Sequence, residues 1–324
     1  MTGSRHRAAP LALAFSIGLF APGSGAQTYP VKPVRYLVAF SAGSGADTLG
    51  RIVADGLAQA FKQQVVVENR TGAAGNIAAE MAAKAPADGY LIFQVSQTHA
   101  VNATLYRNLP YDLTRDFAAA TQLASTPMLV VVHPSLPVKS VGELVKLARA
   151  RPGAINYASA GVGSATFLAA EMFKAAAGAD LMHVPYRGGG EAIIAVMSGE
   201  SSIQFGPLAS WLPHVRQGRG RALAVTSSKR LPFLPEFPTV AETIPGYEAG
   251  NWYGLVVPAK TPSEIITAIR SAVVSALNNP AVNKRLTDLG YLVIGDRPEE
   301  FAGHIRSEVD KLGKIIRTLG LTAN

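Results

Sequence analysis

Cysteine is absent from this sequence. That absence excludes a disulfide scaffold, a thiolate zinc or iron–sulfur centre, a cysteine nucleophile and a lipid-modified N-terminal cysteine. Long apolar runs are also missing beyond one near the start, so no later segment is apolar for the roughly 20 residues that a membrane span needs. Clustered charge of one sign is missing too. The 30 Lys and Arg and 22 Asp and Glu are scattered. The densest basic stretch, Arg216, Arg219 and Arg221, is broken by glycines and lacks interleaved aromatics, as in a solvated loop, so nucleic acid is not an expected partner. What the chain does have is apolar content: 48% of 324 residues can bury enough surface to offset ordering entropy, which excludes a disordered protein. The length suits about two domains.

The one early apolar run reads as an export signal. Arg5 and Arg7 precede Ala8 to Phe20, and Ser24-Gly25-Ala26 place small residues before Gln27, the order of a cleaved secretory leader rather than a span. A retained anchor is the alternative. Cleavage near Ala26 leaves 28 basic and 22 acidic side chains, a net +6, on a chain expected outside the cytoplasm.

Beyond that leader, short apolar runs alternate with helical patterns. Arg35 to Phe40 reads as a strand, and Asp47 to Phe61 carries Leu49, Ile52, Val53, Leu57 and Ala60 at helical spacing. Val65 to Val67, a helix near Ile77 to Lys84 and a strand Tyr90 to Val95 complete a βαβαβ series. A second series runs through Met128 to His133, a helix Val141 to Ala150, a strand Ile155 to Ala158 and a helix Ser164 to Ala177. It continues with Leu181 to Val184, Glu191 to Met197, Ser202 to Phe205 and Ala222 to Val225. Such alternation implies two largely parallel sheets with helices on both faces. Leu231 to Pro245 is a proline-rich ordered loop. After a strand Trp252 to Val257 the chain is mainly helical, with Pro262, Pro280 and Pro298 near helix starts. This tail has no sheet of its own and is expected to fold back onto the first unit, leaving a ligand cleft between the two.

The informative residues sit at two strand-to-helix turns. Phe40-Ser41-Ala42-Gly43-Ser44-Gly45-Ala46-Asp47 joins the first strand to its helix, and Ser159-Ala160-Gly161-Val162-Gly163-Ser164-Ala165-Thr166 does so in the second unit. Glycines let backbone approach a ligand, and N–H groups at a helix start favour an anion. One such loop alone would be a capped helix, with Asp47 and Ser164 as N-caps; two at equivalent places point to anion cradles. Other patterns fail. Gly161, Gly163 and Thr166 occupy the spacing of a dinucleotide fingerprint without its third glycine, no Walker lysine follows either loop, and the G-x-S-x-G elbow of serine hydrolases is missing. No histidine pair has metal-binding spacing, and His133 and His183 read as strand-end packing residues. Neither a cofactor nor a metal is expected.

Taken in order, several segments resemble receptors of the tripartite tricarboxylate transporter family, the Bug group of periplasmic solute-binding proteins. They are Val66-Val67-Glu68-Asn69-Arg70 with Gly72 and Gly75, Asp88-Gly89-Tyr90, Asn108-Leu109-Pro110-Tyr111-Asp112, and Pro152-Gly153 leading to Asn156-Tyr157-Ala158-Ser159. His183-Val184-Pro185-Tyr186-Arg187-Gly188, Arg221-Ala222-Leu223-Ala224-Val225 and Pro238-Thr239-Val240-Ala241-Glu242 continue the series.

The resemblance implies an α/β, two-lobed, type II-like Venus-flytrap fold of the periplasmic-binding-protein kind, with hinge strands near Met128 to His133 and Trp252 to Val257. Residues 1–26 would be the signal peptide, 27–128 plus 254–324 lobe 1, and 129–253 lobe 2. It also implies a non-enzymatic receptor, a small organic carboxylate ligand, the membrane subunits of a tripartite transporter as partners, a monomer and a periplasmic location. A periplasmic sensor for a membrane kinase and an exported serine hydrolase are the alternatives. Carried over by position, the ligand contacts would be Phe40, Ala42, Gly43 and Asp47 from the first loop, and Ser159, Gly161, Gly163 and Ser164 from the second. Ser96, Thr98, Tyr186, Gly188, Phe205 and Gly206 would line the cleft, and Trp252 with Tyr253 its hinge floor. Asp47 is expected to turn its charge into the helix start, away from an anion. The chain departs from the family's first-loop pattern at Ala39, Ser44 and Ala46. In the second, Ala165 replaces a frequent Ser and Phe167 a common His. Fewer hydroxyls and one more aromatic favour an acid less polar than citrate, with Phe167 either packing in its helix or touching the ligand.

Overall fold

A computed structural model describes residues 1–3 and 29–323; the leader reading, Arg5 to Gln27, lies outside them. The first half opens with β1 (Val34–Val38), α1 (Gly45–Phe61), β2 (Val65–Asn69), α2 (Asn76–Ala83), β3 (Leu91–Ser96) and α3 (Gln97–Leu105). Every residue of β3, and all but one of β1, is buried. Helices cover both faces of this parallel sheet, which is why the strands read as continuous apolar runs rather than alternations. α3 had no apolar signal because its buried side chains include Gln97, Thr98, His99 and Asn102.

A 16-residue strand, β4 (Phe117–Val132), then runs through both halves. Its continuation is α4 (Val141–Ala150), β5 (Asn156–Ser159), α5 (Ala165–Ala177), β6 (Met182–Pro185), α6 (Gly189–Ser198), β7 (Ile203–Pro207), α7 (Leu208–Arg216) and β8 (Arg221–Val225). After the loop, β9 (Gly250–Pro258) is followed by α8 (Ser263–Asn278), α9 (Pro280–Asp288), β10 (Leu292–Val293) and α10 (Pro298–Thr318). The three prolines of the tail behave as their helix-start chemistry dictates: Pro280 and Pro298 open their helices and Pro262 immediately precedes one.

Strand order is β2-β1-β3-β9-β4-β7-β5-β6, with β8 and β10 also on β4. β4 pairs with β9 over Phe117 to Pro127 and with β7 from Met128 onward. The sequence reading began this strand only at Met128. Apart from Phe117 and Leu123 its first eleven residues are small or polar, and they end in proline, which masks a strand pattern. Pro127 has no N–H for a ladder and therefore suits the point where the strand leaves one sheet for the other. Thr226 ties the crossing: its Oγ1 accepts the Met128 N–H at 2.8 Å, and its carbonyl accepts the Ala249 N–H at 3.0 Å.

The fold is thus an α/β, two-lobed arrangement, with separate apolar clusters on either side of the crossing. Leu49, Ile52, Val53, Leu57, Leu255 and Val273 belong to one, and Val130, Tyr157, Phe173, Ile203 and Phe205 to another. Burying each such side chain contributes about 1.5–3 kcal/mol. As expected, the helical tail returns to the first half: α8 packs on α1, and α10 on α3.

Candidate ligand-binding site

Both predicted loops lie where the lobes meet. In the first, Ser44 is the N-cap of α1, its Oγ accepting the Asp47 N–H at 3.3 Å. This corrects the expectation that Asp47 caps the helix. Asp47 sits one turn inside, where its carboxylate accepts from Gly43 N at 3.0 Å, Asn69 Nδ2 at 2.9 Å and Arg51 Nε at 3.0 Å. Burial opposes its ionisation, but these donors prevail and hold its pKa below the ordinary aspartate value. The charge is therefore spent on Gly43, Arg51 and Asn69.

In the second loop Ser164 is the N-cap of α5, as read from sequence, with its Oγ accepting the Phe167 N–H at 3.2 Å. Thr166 Oγ1 accepts the Ala160 N–H at 3.0 Å and lies 2.9 Å from Ser164 Oγ. The lobes touch here. The Ala165 N–H donates to Thr98 Oγ1 across the interface at 3.2 Å, and the Tyr106 hydroxyl donates to the Val162 carbonyl at 3.3 Å. Two glycines permit the approach. A Cβ on Gly163, whose φ is 86°, would fall 2.5 Å from Asn102 Oδ1, and one on Gly188 would fall 2.5 Å from Ser41 Oγ.

Between the loops lies a cavity of about 40 Å³. Phe40, Ser44, Gly45, Ala46 and Thr98 come from the side of the first loop, Ala160, Ser164, Ala165, Thr166, Gly189, Ile193, Pro207 and Ser210 from the side of the second, and Asn251 and Tyr253 from β9. These residues include the starts of five helices, α1, α3, α5, α6 and α7. First-turn N–H groups have no carbonyl four residues back to bond, and the positive dipole end adds to them. None of the lining side chains is charged. The cavity is a neutral cage whose fixed dipoles favour an anion. Tyr253 adds a hydroxyl kept protonated by burial, which raises its pKa; that oxygen accepts from Asn251 Nδ2 at 3.0 Å, leaving its own proton to give.

Of the residues expected in the cleft, Phe40, Thr98, Ser164 and Tyr253 line this cavity. Ala42 and Gly43 are exposed and do not line it, and Gly188 sits against Ser41 at the lobe interface. Ser96 is engaged as the N-cap of α3 with His99. Gly161 and Gly163 shape the loop backbone with left-handed φ, and the Ser159 hydroxyl is taken by Gly161 N and His183. Four others point elsewhere. Phe205 packs on Phe173 in the lobe 2 core, Gly206 abuts the Trp211 indole, and the Tyr186 hydroxyl bonds Glu200. Trp252 packs between Phe301 and His304, its indole N–H donating to Glu308. Strand alternation is the reason: if Trp252 faces α10, its neighbours Asn251 and Tyr253 face the cavity. That period-two signal was present in the sequence. Pro207 and Ser210 were hidden because Pro213 inside α7 disguised the helix. Phe167 packs on His183 at 4.8 Å and does not line the cavity.

A family model described as the tripartite tricarboxylate transporter family receptor matches residues 49–321. The chain belongs to this receptor family. BugT of Bordetella pertussis is 32% identical to this receptor over 306 residues, 94% of each chain. Among solved structures, an R. palustris protein with adipate superposes with a TM-score of 0.88 at 34% identity, covering 91% of this receptor and 99% of that chain. MatC from Rhodopseudomonas palustris with bound malate gives 0.85 at 29% identity, covering 89% and 100%. The family is one of periplasmic solute-binding receptors rather than enzymes, which removes the serine-hydrolase alternative. Among the described residues no cluster of metal-ligating side chains occurs and no single helix is long and apolar enough to cross a membrane.

Proposed function

We propose that this receptor captures a small organic carboxylate between its lobes in the periplasm, after loss of residues 1–26, and delivers it as a monomer to the membrane subunits of a tripartite tricarboxylate transporter. The observation that carries the reading is the convergence of five helix N-termini on a cavity without charged side chains. A carboxylate accepting several backbone and hydroxyl bonds there gains charge-assisted hydrogen bonds in a water-depleted space, and no buried arginine is required. Phe40, Ala46, Ala165, Ile193 and Pro207 supply apolar contact. An acid with an apolar chain, less polar than citrate, fits that lining, and the relative with adipate is consistent with it.

Residues 27–128 with 254–324, and 129–253, are proposed as the two bodies that close on the ligand, swinging about the strands that join them, β4 near Met128 and β9 near Trp252–Gly254. Titration calorimetry of the purified protein against adipate, malate, citrate, their neutral amides and sugars tests the ligand class. Acids should bind and their amides should not. Equal binding of the amides, or of sugars alone, would overturn it. Small-angle scattering should show compaction with a bound acid, and unchanged dimensions at saturation would remove the closure mechanism.

A further inference from the structure

His183 occupies a place that ligand capture in the cavity does not by itself explain. It stands on β6, beside β5, with its ring between two aromatics. Tyr157 of β5 stacks on it at 4.9 Å and 22°, and Phe167 in the first turn of α5 lies at 4.8 Å. His183 Nε2 is 2.6 Å from Ser159 Oγ, and that same oxygen accepts the Gly161 N–H at 3.0 Å. One imidazole therefore touches the chain both before and after the β5–α5 loop. The loop between contains two glycines in left-handed backbone, Gly161 at 102° and Gly163 at 86°, whose conformational freedom must be restrained from outside. Ser159 itself is fully buried, so the pair is placed to shape the loop rather than to attack a substrate.

A serine hydroxyl has one proton to give and two lone pairs. Because Ser159 Oγ accepts from Gly161, its proton is free for His183, and a neutral imidazole with a bare Nε2 takes it. A protonated ring carries N–H on both nitrogens. Ser159 Oγ would then face two donors while its own buried proton lost its acceptor, and turning the hydroxyl to find another would weaken its bond from Gly161.

We infer that His183 is a positioning residue of the ligand loop: as a neutral acceptor for Ser159, wedged between Tyr157 and Phe167, it holds the Gly161–Ser164 turn in its ligand-receiving shape, and its protonation loosens that turn. The link to affinity rests on the carboxylate reading above; the restraint on the loop does not. The charged and titratable groups facing the ring are Tyr157 on β5 and Glu171 and Lys174 on α5. Glu171 and Lys174 pair at 3.0 Å, and the Tyr157 hydroxyl donates to Glu171 at 2.6 Å. Burial, the largest influence, favours the neutral ring; Glu171 opposes it and Lys174 supports it, and the net effect lowers the pKa below 6.5. The restraint is thus complete above the ordinary histidine range and lost as pH falls through the lowered value.

Nitrogen-edited NMR of the purified protein from about pH 8 to 5 would follow the His183 ring nitrogens and the Gly161 amide together. The Gly161 resonance should move with the His183 midpoint. In His183→Gln, whose amide oxygen accepts without titrating in this range, it should stay flat. Adipate affinity should fall about three- to tenfold, the worth of one hydrogen bond, across the same midpoint in the wild type, beyond any fall in His183→Gln. A Gly161 amide indifferent to His183 titration, or a His183→Gln protein whose Gly161 titrates like the wild type, overturns the inference. If Gly161 follows His183 but neither adipate nor malate binds at any pH, the carboxylate reading fails while the positioning role stands. Acid binding with a Gly161 amide indifferent to His183 removes the positioning role and leaves the carboxylate reading in place.

Discussion

The two loops that meet at the cavity have the same plan and different fastenings. Each leaves a strand end, turns through left-handed glycine, at Gly43 or at Gly161 and Gly163, and enters a helix through a serine N-cap with a bond of 3.3 or 3.2 Å. Lobe 1 secures its loop with a charge: Asp47 gathers Gly43, Asn69 and Arg51. Lobe 2 uses neutral groups, with Thr166 on Ala160, and Ser159 between Gly161 and His183. The difference shows how one anion cage can be built from two sides. The carboxylate near the cavity has its charge answered within its own loop and neighbours; hydroxyls and an imidazole need no such answer, but the imidazole, its pKa lowered below 6.5 by burial, gains a charge in acid.

Acid should separate the two fastenings most strongly. Beneath lobe 1's loop, His99 is fully buried against Phe93 and Phe40, and burial lowers its pKa from 6.5 to about 4. Its stabilising contribution is full above pH 6.5 and is lost as pH falls toward 4, amounting to roughly 3 kcal/mol. Asp47, with a pKa below the ordinary 3.8, keeps its contribution throughout that window. Denaturant unfolding between those pH values should show the loss in the wild type and much less of its slope in His99→Gln; an identical slope in both would remove His99 as its source.

Removing the charge should come next. Asp47→Ala leaves Gly43 and Asn69 without their acceptor and should cost about 2 to 3 kcal/mol of stability, held to that range because half-exposed Arg51 recovers its hydration. A cost under about 0.5 kcal/mol, within the usual scatter of surface changes, would mean that the loop is secured by its backbone alone.

Gly163→Ala probes where the loops touch. Its added methyl meets Asn102 and Leu105, a clash that the proposed opening of the lobes would relieve, and should weaken ligand binding by about 2 kcal/mol with a smaller fall in stability. Equal losses in both would place the effect in the left-handed backbone rather than at the interface.

The smallest difference is between the caps. Ser44→Ala and Ser164→Ala should each lower stability by about 1 kcal/mol, since both accept one N–H. If Ser164 also donates to the ligand, its variant alone should lose a further 1 to 2 kcal/mol, by order of magnitude about one charge-assisted bond, in calorimetry. Unchanged affinity would take Ser164 out of the site.

Much of this was legible in the residues. α4 was read over its observed span, α5 to within one residue, and Ser164 as its cap, because capping and amphipathic spacing are local properties. The family segments carried the fold and the receptor role. The sequence alone also placed both loops at strand ends, since a glycine- and serine-rich turn between an apolar run and a helical pattern has few other conformations.

Only the tertiary structure decided which residues face the cavity. Five helix starts distant in sequence converge because the sheets of the two lobes direct their strand ends toward each other, and no local pattern encodes that meeting. Phe205 and Trp252 were assigned to the cleft by position, but neighbouring strand residues face opposite sides, so a shift of one residue exchanges a core contact for a cavity contact. Which side is inward depends on what packs there: Phe173 against Phe205, and Phe301 with His304 against Trp252. Those partners lie 32 or more positions away in the chain, and folding alone brings them together.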